Sequence, residues 1–340
     1  MGACQGEGGG RNVESTHLSV RHRPPNTTPR IGSMRIHPRT FSRSPSTPIL
    51  ALAAVAWLPV LLAGCTPPSP ETPPDTDQGP YHILVTNDDG IRSPGIQQLA
   101  DALREVGEVT VVAPCGQRSG SSMSVQLGQG KRLRPITDED RDLGNCVDGT
   151  PADAVMLAME AVVPEGGFDL VVSGINAGAN VGDLGHMSGT VGAAMAGAYY
   201  GVPSVAASLG GNEMDFGYAA AFMARFVEQL RRRPPLTGVV LSVNFPAASE
   251  EGTAGVAIGR MGGSYIRFGY EEVEPDDDVR VFRPLYDPAE THPPGSDTEA
   301  FMAGMISIAP LRFDWTDEEL LRELAGWGLD HRMSGVVEGR

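Results

Sequence analysis

Apolar runs in this chain come in short and long forms, and their alternation predicts an architecture. "HILVT" (His82 to Thr86) is short, β-branched and bounded by turn residues, the pattern of a buried strand. "SPGIQQLADALREVG" follows with Ile96, Leu99, Leu103 and Val106 at helical spacing, Ser93 placed to cap the helix and Pro94 to open it. After Gly107, "VTVVAP" reads as a second strand. Strand, helix and strand within about 30 residues make a right-handed βαβ unit, whose ligands gather where the strands end. Further strands are expected at "FDLVVSGIN" (Phe168 to Asn176), "PSVAAS", "GVVLSVNFP" (Gly238 to Pro246) and "MISIAPL". Between them lie a small-residue helix from Ser188 to Gly201 and an amphipathic helix in "AAAFMARFVEQLRRR". The pattern predicts an α/β, Rossmann-like, doubly wound and mostly parallel sheet. From about Ala247 to Thr298 the chain turns rich in Asp, Glu, Gly and Pro, which predicts a β-hairpin or arm excursion in the C-terminal part.

The first 80 residues obey different rules. Ile49 to Leu62 is apolar but, at about 14 residues, nearer a signal-peptide core than a membrane span. Arg35, Arg39 and Arg43 precede it, and "LAGC" (Leu62 to Cys65) resembles a lipoprotein processing box with Cys65 as the lipidated residue. Residues 34–64 are therefore expected to be a lipoprotein-type signal peptide starting at Met34, and residues 1–33 a disordered extension or a misplaced start. Residues 65–80 read as a Pro-rich tether, 81–329 as the folded domain and 330–340 as a tail. The expected protein is exported and membrane-anchored through its N-terminal lipid, on the periplasmic side. A cleaved secretory signal or an N-terminal anchor helix would also mean export.

Charge narrows the range of functions. The full chain has 26 basic and 42 acidic residues; without residues 1–64 the balance is 19 against 40, a formal charge of −21. Such a surface argues against binding a nucleic-acid duplex. It also repels a phosphorylated substrate unless the site holds its own positive charge, which points to a metal. Of four cysteines, only Cys115 and Cys146 fall in the domain; they lack metal-ligand spacing, and the sequence leaves their pairing open.

Three strand ends carry candidate chemistry. "NDDG" (Asn87 to Gly90) places two aspartates in a turn, where Gly90 lets both carboxylates converge on a hard cation such as Mg²⁺ or Mn²⁺. "RSGSSMS" (Arg118 to Ser124) offers hydroxyls and amides, with Arg118 to offset negative charge. "SGINAGANVG" (Ser173 to Gly182) brings Asn176 and Asn180 into a glycine-rich loop, and "MSGTVGAA" sets Ser188, Gly189 and Thr190 at a helix start that favours an anion. Thr150 and Asp153 in "DGTPADAV" read as a helix cap, and His186 as a possible proton donor.

Together, "ILVTNDDGIRSPGI", "VVAPCGQRSGSS", "GTPADAV" and "VVSGINAGANVGDLGHMSGTVGAA" resemble the SurE (survival protein) nucleotidase and phosphatase family. Fainter matches lie at "LSVNFP" and "GSDTEAFMAGMISIAPL". The resemblance implies a divalent-metal-dependent phosphomonoester hydrolase acting on nucleoside 5′- and 3′-monophosphates. It implies Asp88, Asp89, Ser119 and Asn176 as metal ligands, with Asp88, Asp89 and Asn176 catalytic, and Asn180, Ser188, Gly189 and Thr190 on the phosphate side. It also implies a homodimer or homotetramer, paired through the acidic arm. The chain departs from the family at Cys115, where Asp is usual, and at Met187, where Tyr is usual. A haloacid-dehalogenase-type phosphatase would need aspartates two residues apart, and Asn87 occupies that place. The other alternative is an exported metal- or nucleotide-binding lipoprotein without turnover.

Overall fold

A computed structural model describes residues 79–329, apart from 129, 212–214, 248, 277 and 290. The expected extension, signal peptide with Cys65, most of the tether and the tail lie outside the described residues.

β1 (His82–Thr86), β2 (Glu108–Pro114), β5 (Leu170–Ala177), β6 (Ser204–Leu209) and β7 (Val239–Phe245) form the parallel centre of a nine-stranded sheet. Outside β2 lie β4 (Arg141–Val147) and β3 (Leu133–Asp138); outside β7 lie β11 (Ile306–Arg312) and β8 (Val256–Ile258). The order is β3-β4-β2-β1-β5-β6-β7-β11-β8, with only the β3–β4 and β7–β11 pairs antiparallel. Successive residues of β1 and β5 face opposite sides, and both sides are covered, so these strands are apolar almost throughout. α1 (Pro94–Leu103) and α4 (Gly217–Arg231) close one face over Ile83, Val85 and Val172. α2 (Pro151–Ala161) and α3 (Gly189–Tyr199) close the other over Leu84, Val112 and Val171. This is the expected doubly wound arrangement.

The chain runs from β1 outward through β2 and β4, then returns to β5 and runs outward the other way through β6 and β7. Loops after β1 and β5 therefore diverge, leaving a crevice at the carboxyl ends of adjacent strands. Thr86 pairs with Ser173 there, so Asn87 to Asp89 emerge beside Gly174 to Asn176.

The expected excursion is present as an antiparallel pair, β9 (Ile266–Asp276) with β10 (Val279–Pro288), separate from the main sheet. Flanking it, β8 rejoins the sheet edge and α5 (Asp297–Met302) packs against β11, so the excursion is shorter than the composition suggested. A last helix, α6 (Glu318–Ala325), has no buried residue. No described helix is long and apolar enough to cross a membrane. Cys115, just past β2, and Cys146, in β4, form a disulfide with Cα atoms 4.7 Å apart.

Candidate active site

The turn after β1 is built by Asn87. Its side-chain amide donates to Gly90 O at 3.0 Å and Ser93 Oγ at 2.9 Å, while its oxygen accepts from Gly90 N–H at 3.1 Å. Gly90 sits at φ +98°, a conformation that L side chains rarely adopt. Ser93 is the N-cap residue of α1 as expected, yet its hydroxyl serves the Asn87 turn instead of a helix amide. This network turns the two following aspartates toward different neighbours.

Asp88 points to α3: Thr190 Oγ1 donates to its Oδ1 at 2.6 Å, and only 3 % of the residue is exposed. Burial pushes its pKa up to about 6, opposed by the Thr190 hydrogen bond and assisted by the Asp89 charge. Asp89 points to β5, where its Oδ2 accepts from Ala177 N–H at 2.9 Å. Asn176, one residue earlier, spends its amide N–H on Gly178 O at 2.8 Å, which leaves its oxygen for a ligand. The segment after β2 is drawn in by Arg118 N–H, which donates to Asp88 O at 2.6 Å and so sets Ser119 at the same rim. Asp88, Asp89 and Asn176 thus meet where β1 and β5 end side by side, the Asp89 carboxylate accepting from Ala177 N–H, and Ser119 follows Arg118 on the loop tied to Asp88 O.

The phosphate-side residues divide. Ser188 is the N-cap of α3, its hydroxyl accepting from Val191 N–H at 3.1 Å; the Thr190 N–H is directed at the Asp88 carboxylate, so the open amide at this helix start belongs to Gly189. A Cβ at Gly189 would lie 2.7 Å from Ser121 Oγ and 2.8 Å from Asp88 Oδ2. Only glycine lets the helix start reach the carboxylate this closely. Asn180 lies farther along the β5 loop, with its side-chain amide donating to Ser208 Oγ at 2.9 Å and its N–H to Asn244 Oδ1 at 2.7 Å. It shapes that loop from β6 and β7.

Two expectations shift. The Arg118 guanidinium turns to Gly149 O at 3.2 Å, away from the carboxylates, because the open carbonyl before α2 is within its reach. His186 is exposed, with its ring edge-on to Trp315 at 6.3 Å, while its carbonyl accepts from Ser122 Oγ. The Thr150–Asp153 capping box forms as expected and is structural. Sequence reasoning missed the direct role of Thr190 as partner of Asp88, since nothing in a helix-start threonine tells which carboxylate it meets. It also missed Asp297, buried at 1 % exposure, which holds the glycine-rich loop by accepting from Gly182 N–H at 3.0 Å.

The residues fit a hard divalent cation. No salt bridge reaches Asp88 or Asp89 among the described residues, so two adjacent carboxylates, one buried, are left without a protein cation. Beside them the buried Ser121 Oγ has no hydrogen-bond partner. The donors are all oxygen, two carboxylates with a neutral amide and a hydroxyl, the chemistry that Mg²⁺ and Mn²⁺ prefer. No group of three or more His, Cys, Asp or Glu placed to hold a metal occurs among the described residues, so the fit rests on two carboxylates with neutral oxygen donors.

A profile described as "Survival protein SurE" matches residues 83–267, a span holding every expected metal and phosphate residue. The chain is 41 % identical over 250 residues to a 5′/3′-nucleotidase SurE of Cronobacter sakazakii, covering 72 % of this chain and 95 % of that protein. The chain belongs to the SurE family. Another SurE relative, a 5′-nucleotidase of Vibrio cholerae, is 38 % identical over 255 residues, covering 74 % of this chain and 99 % of its own. The crystal structure of the SurE protein from Aquifex aeolicus superposes with a TM-score of 0.63 at 32 % identity, covering 72 % of this chain and 99 % of that one.

Proposed function

We propose that this SurE-family chain hydrolyses nucleoside 5′- and 3′-monophosphates with the help of a divalent cation, Mg²⁺ or Mn²⁺. The observation that carries the reading is the meeting of Asp88, Asp89 and Asn176 with the amino-terminal end of α3 at the switch point of the sheet. The names of the SurE relatives support the same activity.

Asp88, Asp89, Ser119 and Asn176 would hold the cation, which when bound polarises phosphoryl oxygens and lowers the pKa of water. Thr190 holds Asp88 in one orientation through its hydroxyl. The Gly189 N–H receives a phosphoryl oxygen at the positive end of the α3 dipole, where charge builds during transfer, while the Thr190 N–H and hydroxyl serve Asp88. Asn180 keeps the loop carrying Asn176 in place through Ser208 and Asn244.

The test is release of inorganic phosphate from 5′-AMP and 3′-AMP with Mn²⁺ or Mg²⁺, with EDTA, and in Asp89→Asn. Hydrolysis that requires the metal and disappears in the variant is expected. Metal or nucleotide binding without phosphate release, or full turnover in Asp89→Asn, would overturn the reading.

We also infer that the domain works outside the cytoplasm and in pairs. The Cys115–Cys146 disulfide suits an oxidising compartment, in keeping with the leader-like residues 34–64 and Cys65. Leu320, Leu321 and Leu324 on α6 stand exposed, as do Phe268, Tyr270 and Tyr286 on the β9–β10 pair, apolar surface suited to a second copy. Light scattering at micromolar concentration should give a homodimer or homotetramer; a monomer contradicts the pairing.

A further inference from the structure

We propose that the Cys115–Cys146 disulfide positions the Ser119 loop, so that turnover at this site depends on the oxidation state of the protein. The inference rests on the proposed hydrolase reading for its activity readout, and on the disulfide's place in the fold for its substance.

Cys115 is the first residue of the segment that leaves β2 for the site, and Cys146 lies in neighbouring β4 with 2 % exposure. The bond therefore clamps the root of the loop to a buried strand. Beyond that root the segment has little to hold it. Gly116 to Gly120 are exposed, Arg118 makes one backbone bond to Asp88 O and one side-chain bond to Gly149 O, and the next tie is Ser122 to Met187 O and His186 O. Ser119 and the unpartnered Ser121 hydroxyl lie between these ties. The other end of the cross-link continues through Asp148 and Gly149 into the capping box of α2, and Gly149 O is the acceptor for Arg118. The disulfide thus adds a covalent tie to the β2–β4 pairing and the Cys115 N–H bond to Val147 O at 3.0 Å, between the root of the loop and the strand that leads to Gly149, one of the two acceptors of Arg118. Few hydrogen bonds and high exposure mark a segment of low local stability.

Reduction is chemically open. A thiolate of an external dithiol attacks Sγ of Cys115, the less buried sulfur; the S–S bond breaks and Cys146 leaves as a thiolate that takes a proton. The second thiol of the reductant then attacks the mixed disulfide, releasing Cys115 and closing the reductant's own disulfide. Two electrons and two protons pass to the protein. Arg134 Nη2 lies 3.2 Å from the Cys115 sulfur and also pairs with Asp148 at 2.5 Å.

The full-length chain is compared oxidised, after dithiothreitol, and after reoxidation with oxidised glutathione, by 5′-AMP hydrolysis and by hydrogen exchange read by mass spectrometry. Reduction should lower kcat/KM on the order of tenfold, as a loosened positioning loop does. Exchange should quicken at 116–124 and 148–150, while β1, β5 and α3 keep their protection. Reoxidation restores both, and Cys115→Ser with Cys146→Ser stays at the reduced level in either condition. Equal rates and equal exchange in the two states would overturn the proposal, as would a loss of protection throughout the sheet, which would make the bond a support of the fold. An oxidised protein with no hydrolysis at all would instead remove the proposed function, and the exchange comparison would still decide the loop.

Discussion

A carboxylate with 3 % exposure and no basic side chain beside it is a costly thing for a fold to keep. Asp88 keeps its charge within reach of neutral pH only with help, and the Thr190 hydroxyl is the one side chain that gives it. Asp88→Asn preserves the size and the acceptor for Thr190 but removes the charge. It should reduce phosphate release at least about 100-fold, the scale of losing a principal electrostatic group, while the melting temperature in EDTA stays level or rises. A clear fall in melting temperature would mean that Asp88 serves the fold first. Gly189→Ala tests the neighbouring contact, since the new methyl would press on Ser121 Oγ and Asp88 Oδ2 at 2.7 and 2.8 Å. We expect about a tenfold loss in kcat/KM with a normal circular dichroism spectrum, because small displacements at reacting groups weigh on rate more than on folding.

Elements near the site are held by short-range devices that are easy to break singly. Thr150 accepts from Asp153 N–H at the start of α2 and donates to Ser124 O at 2.6 Å, joining the helix cap to the end of the Ser119 loop. Thr150→Ala should cost about 1–2 kcal/mol in urea unfolding. A change within experimental error would show that water replaces both bonds without loss. The central β1-α1-β2 unit was legible because its strands are buried on both faces and α1 shows a full apolar stripe. β3 and β4 escaped the pattern for the opposite reason. β3 is an edge strand carrying Arg134, Pro135 and Asp138, and β4 begins with Arg141 and Asp142, so polarity and proline mask their pairing. The rule that parallel strands end on one side grouped the three loops, and the choice of Asp88, Ser119 and Asn176 within them came from the SurE resemblance. Their individual partners were not legible. The pairing of Thr190 with Asp88 spans 102 positions, and the turn of Arg118 to Gly149 depends on a carbonyl in a different loop.

At the scale of the whole molecule the two ends of β1 serve different ends. Its carboxyl end opens into the site, while just before its amino end Tyr81 packs, partly buried, on the core cluster that includes Leu170, with the Arg231 guanidinium 5.4 Å over its ring. Burial, then the Asp169 charge, push the Tyr81 phenol up to about 12, with Arg231 pulling the other way. A raised folded-state pKa means that the folded chain holds this proton longer than the unfolded one. Its contribution is complete below about pH 10, the usual phenol value, and is lost as pH climbs toward 12. Urea midpoints should therefore fall across that alkaline window in the parent, and fall less in Tyr81→Phe; equal slopes would remove Tyr81 as the cause. At the other pole, the proposed phosphate site belongs to a chain whose residues 65–340 carry a formal charge of −21. On the proposed reading, an ion among the three loops offsets that charge. The direct measurement is anomalous scattering from crystals of the protein soaked in Mn²⁺. A single peak bounded by the side chains of Asp88, Asp89, Asn176 and Ser119 is the predicted result. Crystals with those carboxylates well ordered and no peak between them, at a manganese concentration that supports hydrolysis in solution, would contradict it.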